Sequence, residues 1–351
     1  MPSKLSLRIA VVVAAAASVV VTAPVALATP DDVGKPTLTG VTAKVPAAVA
    51  APLGASRQSL VDAVAADALG RTHDGRGLAP SVALGKFAAQ GRKVVVDVRS
   101  AAPGWARGVA YIEAPATAEA TPEGWLYIAR YTGGSWVAGI EGDSEFAEYV
   151  ASSPLVGAAE RRTMTAYANH QAATTMTTTA NTGGLLLPWM PDYYMTLTGG
   201  PHASDGATGY WSSLDFSGGN ASGRVRSSRD GTATSMCGAG GGWTRVIHPN
   251  GFSTDYYHMY NATYYNATPV GTSALLGTIG RDVCAGGYAS GDHVHWSLRT
   301  YDANYNGTYT WLNGRTIGGW TWWNGSSQYT GCATRLGYTA CPGTAIYNRT
   351  S

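Results

Sequence analysis

After Glu160 the chain contains no glutamate, and after Lys93 no lysine, although it runs on to Ser351. Glycine, tyrosine, tryptophan, threonine and asparagine become dense instead, and this break in composition marks at least two domains. Residues 29–180 mix ordinary helical and strand patterns, the signature of an α+β unit. Ser56 stands where it could cap an apolar-periodic helix over Arg57 to Leu69, and Lys93 to Arg99 reads as a strand. Further strands are predicted around Gly108 to Glu113, Gly124 to Tyr131 and Trp136 to Glu141, and helices around Ser144 to Ser152 and Ala158 to His170.

The run of threonines in Ala172 to Gly184 can bury little apolar surface and reads as an exposed linker open to cleavage. From Leu185 onward, short segments rich in β-formers are punctuated by Gly, Asn and Asp, as in Thr244 to His248, Thr254 to Met259 and His293 to Thr300. Residues 181–351 are therefore expected to form a mainly β domain built on antiparallel sheet.

At the other end, Lys4 and Arg8 precede an apolar run from Ile9 to Val21, and Ala26-Leu27-Ala28 supplies a small-x-small cleavage site. Residues 1–28 read as an export signal, with the mature chain beginning near Thr29. The apolar run is too short for a membrane anchor. Export agrees with the four cysteines, Cys237, Cys284, Cys332 and Cys341, whose even number favours disulfides. Three pairings are open; nearest-neighbour pairing is the simplest, each bridge contributing about 2–4 kcal/mol. A cysteine zinc site is the competing reading, and the spacings do not suit it.

The chemistry concentrates in His293-Val294-His295, read with His202 and Asp215. Two histidines separated by one residue project from the same face of a strand, so one can bind a metal while the other stands beside it. A catalytic zinc needs three protein ligands and an open fourth position. The missing glutamate excludes the helical zinc motif whose base is a glutamate between two histidines, leaving His, Asp or Tyr as general base. No Gly-x-Ser-x-Gly elbow lies near a histidine, and a lysozyme-like hydrolase would lack its glutamate acid. Nine Arg against eight Asp after residue 180 give no basic stripe for nucleic acid.

Local sequence adds to ligand type. Gly200-Pro201-His202 leads through Gly209-Tyr210-Trp211-Ser212-Ser213-Leu214 to Asp215; later come His248-Pro249-Asn250-Gly251, Tyr256-Tyr257-His258-Met259 and Gly291-Asp292-His293-Val294-His295-Trp296-Ser297-Leu298. In order and spacing, from Leu185 to about Asn348, this resembles the beta-lytic branch of the lysostaphin-type zinc metalloendopeptidases. The placement of the cysteines agrees with that branch and supports nearest-neighbour pairing.

The resemblance implies an antiparallel β-sheet domain with an open cleft, in which His202, Asp215 and His295 bind one Zn2+ and His258 and His293 face substrate and water. Asp205 competes for the carboxylate role, but it lies three residues after His202, whereas this branch uses a carboxylate thirteen after, which is Asp215. Of His258 and His293, one would relay the proton and the other stabilise the oxyanion. Tyr257 and Tyr329 are further candidates to donate a hydrogen bond to it. The implied substrates are peptides of bacterial peptidoglycan, especially glycyl bonds of cross-bridges, together with glycine-rich proteins. The implied form is an extracellular monomer without a membrane anchor.

Blander roles are expected elsewhere. His73, His170 and His248 read as structural or surface groups, His248 in a turn before Pro249-Asn250-Gly251. Most of Tyr256, Trp296, Trp311, Trp320, Trp322 and Trp323 are expected in the core rather than in a binding groove. Residues 29–180 read as a propeptide, with a permanent wall-binding domain as the alternative. A silent relative that binds wall peptides is the alternative to an enzyme, but such relatives lose a ligand, and here all five key positions are filled.

Overall fold

The computed structural model describes residues 37–117, 120–173, 182–204, 210–301 and 307–350. The export signal, Asp205 and most of the threonine-rich segment lie outside the described residues.

The N-terminal half is a five-stranded sheet with helices. In chain order it comprises β1 (Val41–Lys44), α1 (Ala47–Leu53), α2 (Arg57–Arg71), α3 (Pro80–Ala89), β2 (Val94–Ala102), β3 (Trp105–Ile112), β4 (Glu123–Thr132), β5 (Ser135–Ile140), α4 (Ser144–Ser152) and α5 (Ala158–Ala173). The strands lie in order β1-β2-β3-β4-β5, with β1 parallel to β2 and the remainder antiparallel. A 3-10 turn, Gly54–Ser56, runs straight into α2, so the Ser56 hydroxyl donates to Leu53 O at 2.8 Å and makes no side-chain cap.

Strand alternation gives this sheet two apolar faces. Val94, Val96, Val98, Trp125, Tyr127 and Ala129 pack on Leu60, Val64, Leu69 and Phe87 of α2 and α3. The intervening Val95, Val109, Tyr111, Leu126 and Ile128 face the other way, into a core shared with Met236, Trp243, Ile247, Tyr257 and Ala285 of the C-terminal half. The two halves are thus joined through a common apolar core.

The C-terminal half continues with β6 (Tyr194–Ala203), β7 (Trp211–Ser217), β8 (Arg224–Arg226), β9 (Gly231–Ser235), β10 (Thr244–Ile247), β11 (Ser253–Tyr260), β12 (Thr268–Val270), β13 (Leu275–Asp282), β14 (Val294–Tyr301) and β15 (Gly307–Tyr309). After these come β16 (Thr316–Ile317), β17 (Trp320–Trp323), β18 (Cys332–Arg335), β19 (Tyr338–Ala340) and β20 (Ala345–Tyr347). The main sheet runs β12-β9-β10-β11-β14-β7-β6-β20, and every pairing in it is antiparallel, as the sequence leads one to expect.

One face of this sheet is apolar. Leu214, Phe216, Val246, Tyr256, Val294, Trp296 and Leu298 bury against Leu187, Trp189, Trp320 and Trp322. Trp311 and Trp323 remain exposed. The opposite face carries Asp215, His295, Tyr257, Asp255 and Arg245, which the cross-strand register places in neighbouring positions. The N-terminal half lies on this second face.

Both disulfides follow nearest-neighbour pairing, Cys237 with Cys284 and Cys332 with Cys341. The end of the threonine-rich segment departs from the expected linker. Thr182 is buried, donates from Oγ1 to Thr316 O at 2.6 Å and accepts at its carbonyl from Asn250 Nδ2 at 2.9 Å, so the C-terminal half is already anchored there.

Candidate metal centre

Register brings the site together. β14 lies between β11 and β7, with His295 opposite both Asp215 and Tyr257. His202 enters from β6, whose pairing with β7 is interrupted by bulges on either side of it. Close backbone contact at Gly200 shapes that bend: a Cβ there would lie 2.1 Å from Gly331 O, so only glycine fits.

His202 Nε2 and His295 Nδ1 are 3.2 Å apart, His295 Nδ1 and Asp215 Oδ1 3.1 Å, and His202 Nε2 and Asp215 Oδ1 3.6 Å. Tetrahedral zinc with bonds of about 2.0–2.1 Å spaces its ligand atoms roughly 3.3 Å apart, so this triangle has the right size. His202 Nδ1 donates to Gly200 O at 2.8 Å, which leaves Nε2 as the lone-pair nitrogen facing the cluster. Burial, opposed by the nearby Asp215 charge, holds the His202 pKa down to about 4, so the ring is neutral as a ligand must be. For Asp215 burial acts upward, but His202, His295 and His293 outweigh it and hold the carboxyl far below the usual carboxylate range.

Two more histidines flank the cluster. His293 Nδ1 donates to Gly291 O at 2.8 Å, and its Nε2 lies 3.8 Å from Asp215 Oδ1. His258 Nδ1 donates to Asp282 O at 2.8 Å, and its ring centroid is 4.8 Å from that of His293. A carbonyl only accepts, so both rings carry hydrogen on Nδ1 and leave Nε2 as the lone-pair nitrogen. His258 is held in the left-handed region at φ +67°, beside a register shift between β11 and β13, an orientation that regular strand would not give. Burial first, and then the neighbouring His293 and His295, hold its pKa down to about 3.

The cleft above them has a volume of 530 Å³ and is lined by Thr198, Ser217, Tyr288, Ser290 and Asp292 as well as by His258, His293 and Tyr329. Tyr329, at φ +69°, stacks on His202 with ring centroids 4.0 Å apart. Tyr257 departs from the expectation that placed it at the oxyanion. Its hydroxyl donates to Gly286 O at 2.6 Å and accepts from Ala285 N at 3.1 Å, so it braces the 285–286 wall.

Among the described side chains, the remaining histidines His73 and His248 make no contact with the cluster. His73 is exposed, and the side chain of His170 is outside the described residues. His248 is buried, with Nδ1 on Asp230 O and Nε2 on Thr254 Oγ1. Sequence reasoning missed Tyr288, Ser290 and Asp292, although they directly precede His293; the clue was that a loop entering a metal strand must form one wall of its cleft.

No family model matches the chain. Over 161 residues it is 33% identical to the beta-lytic metalloendopeptidase of Lysobacter enzymogenes, a match covering 41% of this chain and 85% of that protein. It is 32% identical over 160 residues to the beta-lytic metalloendopeptidase of Achromobacter lyticus, spanning 41% of that protein. With Protease LasA of Pseudomonas aeruginosa it shares 31% over 180 residues, spanning 40% of that protein. Among solved structures, the metalloprotease pseudoalterin is 32% identical, with 48% of this chain and 99% of that chain covered at a TM-score of 0.42. Identity at this level across most of the Lysobacter protein places the chain in the beta-lytic branch of the lysostaphin-type zinc metalloendopeptidases.

Proposed function

We propose that this protein is a secreted zinc endopeptidase that hydrolyses peptide bonds of bacterial peptidoglycan, above all glycyl bonds in cross-bridges. The observation that carries the reading is the triangle of His202 Nε2, Asp215 Oδ1 and His295 Nδ1, of zinc-ligand size, with two imidazole rings beside it whose Nε2 atoms carry lone pairs. Zinc held by these three residues would lower the pKa of a bound water to about 7 and polarise a scissile carbonyl.

The chain's own residues supply the proton transfers. His258 and His293, each fixed through Nδ1, present Nε2 to the cleft; one takes the proton of the attacking water and passes it to the leaving amine. The other, once protonated, donates to the developing oxyanion. Tyr329 lies over His202 and narrows the cleft where a substrate side chain would sit, which favours glycine. Tyr257 positions the adjoining wall through Ala285 and Gly286.

Residues 29–180 act as a propeptide in this reading. Supporting it, Ala114 N donates to Ala285 O at 2.9 Å and Thr121 N to Ser204 O at 3.1 Å, so the N-terminal half is bonded to both sides of the metal cluster. The apolar run at the N-terminus and two disulfides support export. Among the described residues no helix is long and apolar enough to cross a membrane.

The test is mass spectrometry of fragments released from glycine-bridged walls by the folded chain cut within residues 174–181, with and without a zinc chelator. Chelator-sensitive new glycine termini are expected. No release by folded, zinc-loaded protein would overturn the reading.

A further inference from the structure

Regular pairing on both sides of β6 gives way where the strand carries His202. On its outer side β20 pairs only with Tyr194 to Thr196, and on its inner side the register with β7 shifts three times between Leu197 and Ala203. The segment is nevertheless enclosed. His202 and Ala203 are both 0% exposed, so their backbone polar groups need partners within the protein.

The loop between β17 and β18 supplies them. Gly200 N donates to Tyr329 O at 3.0 Å, Tyr329 N to Pro201 O at 3.3 Å, and Ala203 N to the side-chain oxygen of Gln328, Oε1, at 2.7 Å. The two main chains touch so closely that a Cβ on Gly331 would lie 2.7 Å from Pro201 Cδ. Gly331 leads directly to Cys332, bridged to Cys341, so the far end of the loop is covalently braced. His202 is thus bracketed. Its Nδ1 donates to Gly200 O, and the backbone N–H groups of Gly200 and Ala203, on either side of it, both end on this one loop.

Of the three loop-to-strand hydrogen bonds, only the one from Ala203 ends on a side chain, so it alone is set by residue identity. Without that oxygen a buried N–H next to His202 has lost its acceptor, and the backbone must shift to regain one. Groups that orient a metal-binding histidine from outside the ligand set commonly change metal affinity 10–100-fold. A merely structural glutamine makes a different prediction: the metal-free chain loses stability, and the folded protein binds metal as before.

We infer that Gln328 is a positioning residue: by holding Ala203 N, its Oε1 fixes the bend of β6 that aims His202 Nε2 at Asp215 and His295. The inference rests on the reading of His202, Asp215 and His295 as zinc ligands.

Zinc affinity of the full chain, measured by competition with a chromogenic chelator, tests it on three proteins. These are the unaltered chain, Gln328→Leu, which loses the oxygen at similar volume, and Gln328→Glu, which keeps an acceptor there. Gln328→Leu should bind zinc about 10–100-fold more weakly, and Gln328→Glu should restore the affinity of the unaltered chain. Equal affinity in Gln328→Leu, or a loss that Gln328→Glu shares, overturns the inference.

Should Gln328→Leu not fold, the unaltered chain carries the test, because coupling is reciprocal: if the Ala203 bond favours zinc, zinc favours the Ala203 bond by the same factor. Saturating zinc should slow hydrogen exchange at the Ala203 amide about 10-fold more than at the amide of Val96, buried in β2 of the other half. Equal slowing overturns the inference. A folded, unaltered chain that binds no zinc sinks the metal-centre reading and the inference with it. Zinc binding that responds to Gln328 as expected, in a protein that cuts no wall peptide, sinks the hydrolase reading and leaves the role of Gln328 standing.

Discussion

His295 Nδ1 faces Asp215 Oδ1 at 3.1 Å across a registered pair of antiparallel strands, so the geometry of the candidate site is written into the pairing of β14 with β7. His295→Ala or Asp215→Ala removes one corner of a three-cornered site. Zinc content, measured by plasma mass spectrometry after dialysis, should fall at least roughly tenfold, with activity falling alongside it. His258 is held by Asp282 O and makes no edge of the triangle. His258→Ala should therefore retain zinc while kcat falls about 10²–10⁴-fold, and equal loss of metal would refute this division of roles.

The proposed propeptide role predicts latency. Ala114 and Thr121 bond to Ala285 and Ser204, and Glu141 to Arg245, all on the C-terminal half that carries the metal residues. In the propeptide reading, a long glycine peptide gains the full length of this face once the N-terminal half has left. Cutting within residues 174–181 and removing that half should raise kcat/KM on such a peptide about 100-fold or more, since the apparent affinity scales with the fraction of open protein. Equal specific activity before and after cutting would sink the propeptide reading.

The candidate metal residues were legible in two ways: a strand bearing His293 and His295 states its own periodicity, whereas Asp215, thirteen residues after His202, was implied by the family resemblance and falls on the strand beside both β6 and β14. In the N-terminal half, two helices and a strand escaped notice. α1 is Ala-rich and contains Pro52, α3 begins at Pro80 without a side-chain cap, and β1 is stabilised by parallel pairing with β2, a partner some fifty residues away that local pattern does not reveal. Least legible was the joint core. Alternation in β2 to β4 announces two apolar faces, but not that Trp243 and Ile247 cover one of them, nor that Arg245 meets Glu141 across 104 positions.

The two disulfides should differ in worth. Cys237 and Cys284 are 47 positions apart, against 9 for Cys332 and Cys341. Restricting the unfolded chain predicts about 4 kcal/mol for the longer loop and about 2.5 kcal/mol for the shorter. Denaturant unfolding of the two paired Cys→Ala variants checks the order. A larger loss at Cys332 and Cys341 would show that native-state packing, not loop closure, governs these bridges.

His248 supplies a pH-dependent stability term remote from the metal. Its ring is fully buried between Asp230 O and Thr254 Oγ1, and burial holds its pKa down from 6.5 to about 4. In the unfolded chain the same histidine protonates near its ordinary value, so between those pH values the unfolded state binds more protons. Stability from this group is therefore complete above pH 6.5 and is lost as pH falls toward 4, in total about 3 kcal/mol. His248→Gln cannot titrate. Urea midpoints at pH 7.5 and pH 4.5 should thus show the wild type losing about 2–3 kcal/mol more than the variant over that interval. If both lose the same amount, protonation of His248 is not what couples this fold to pH.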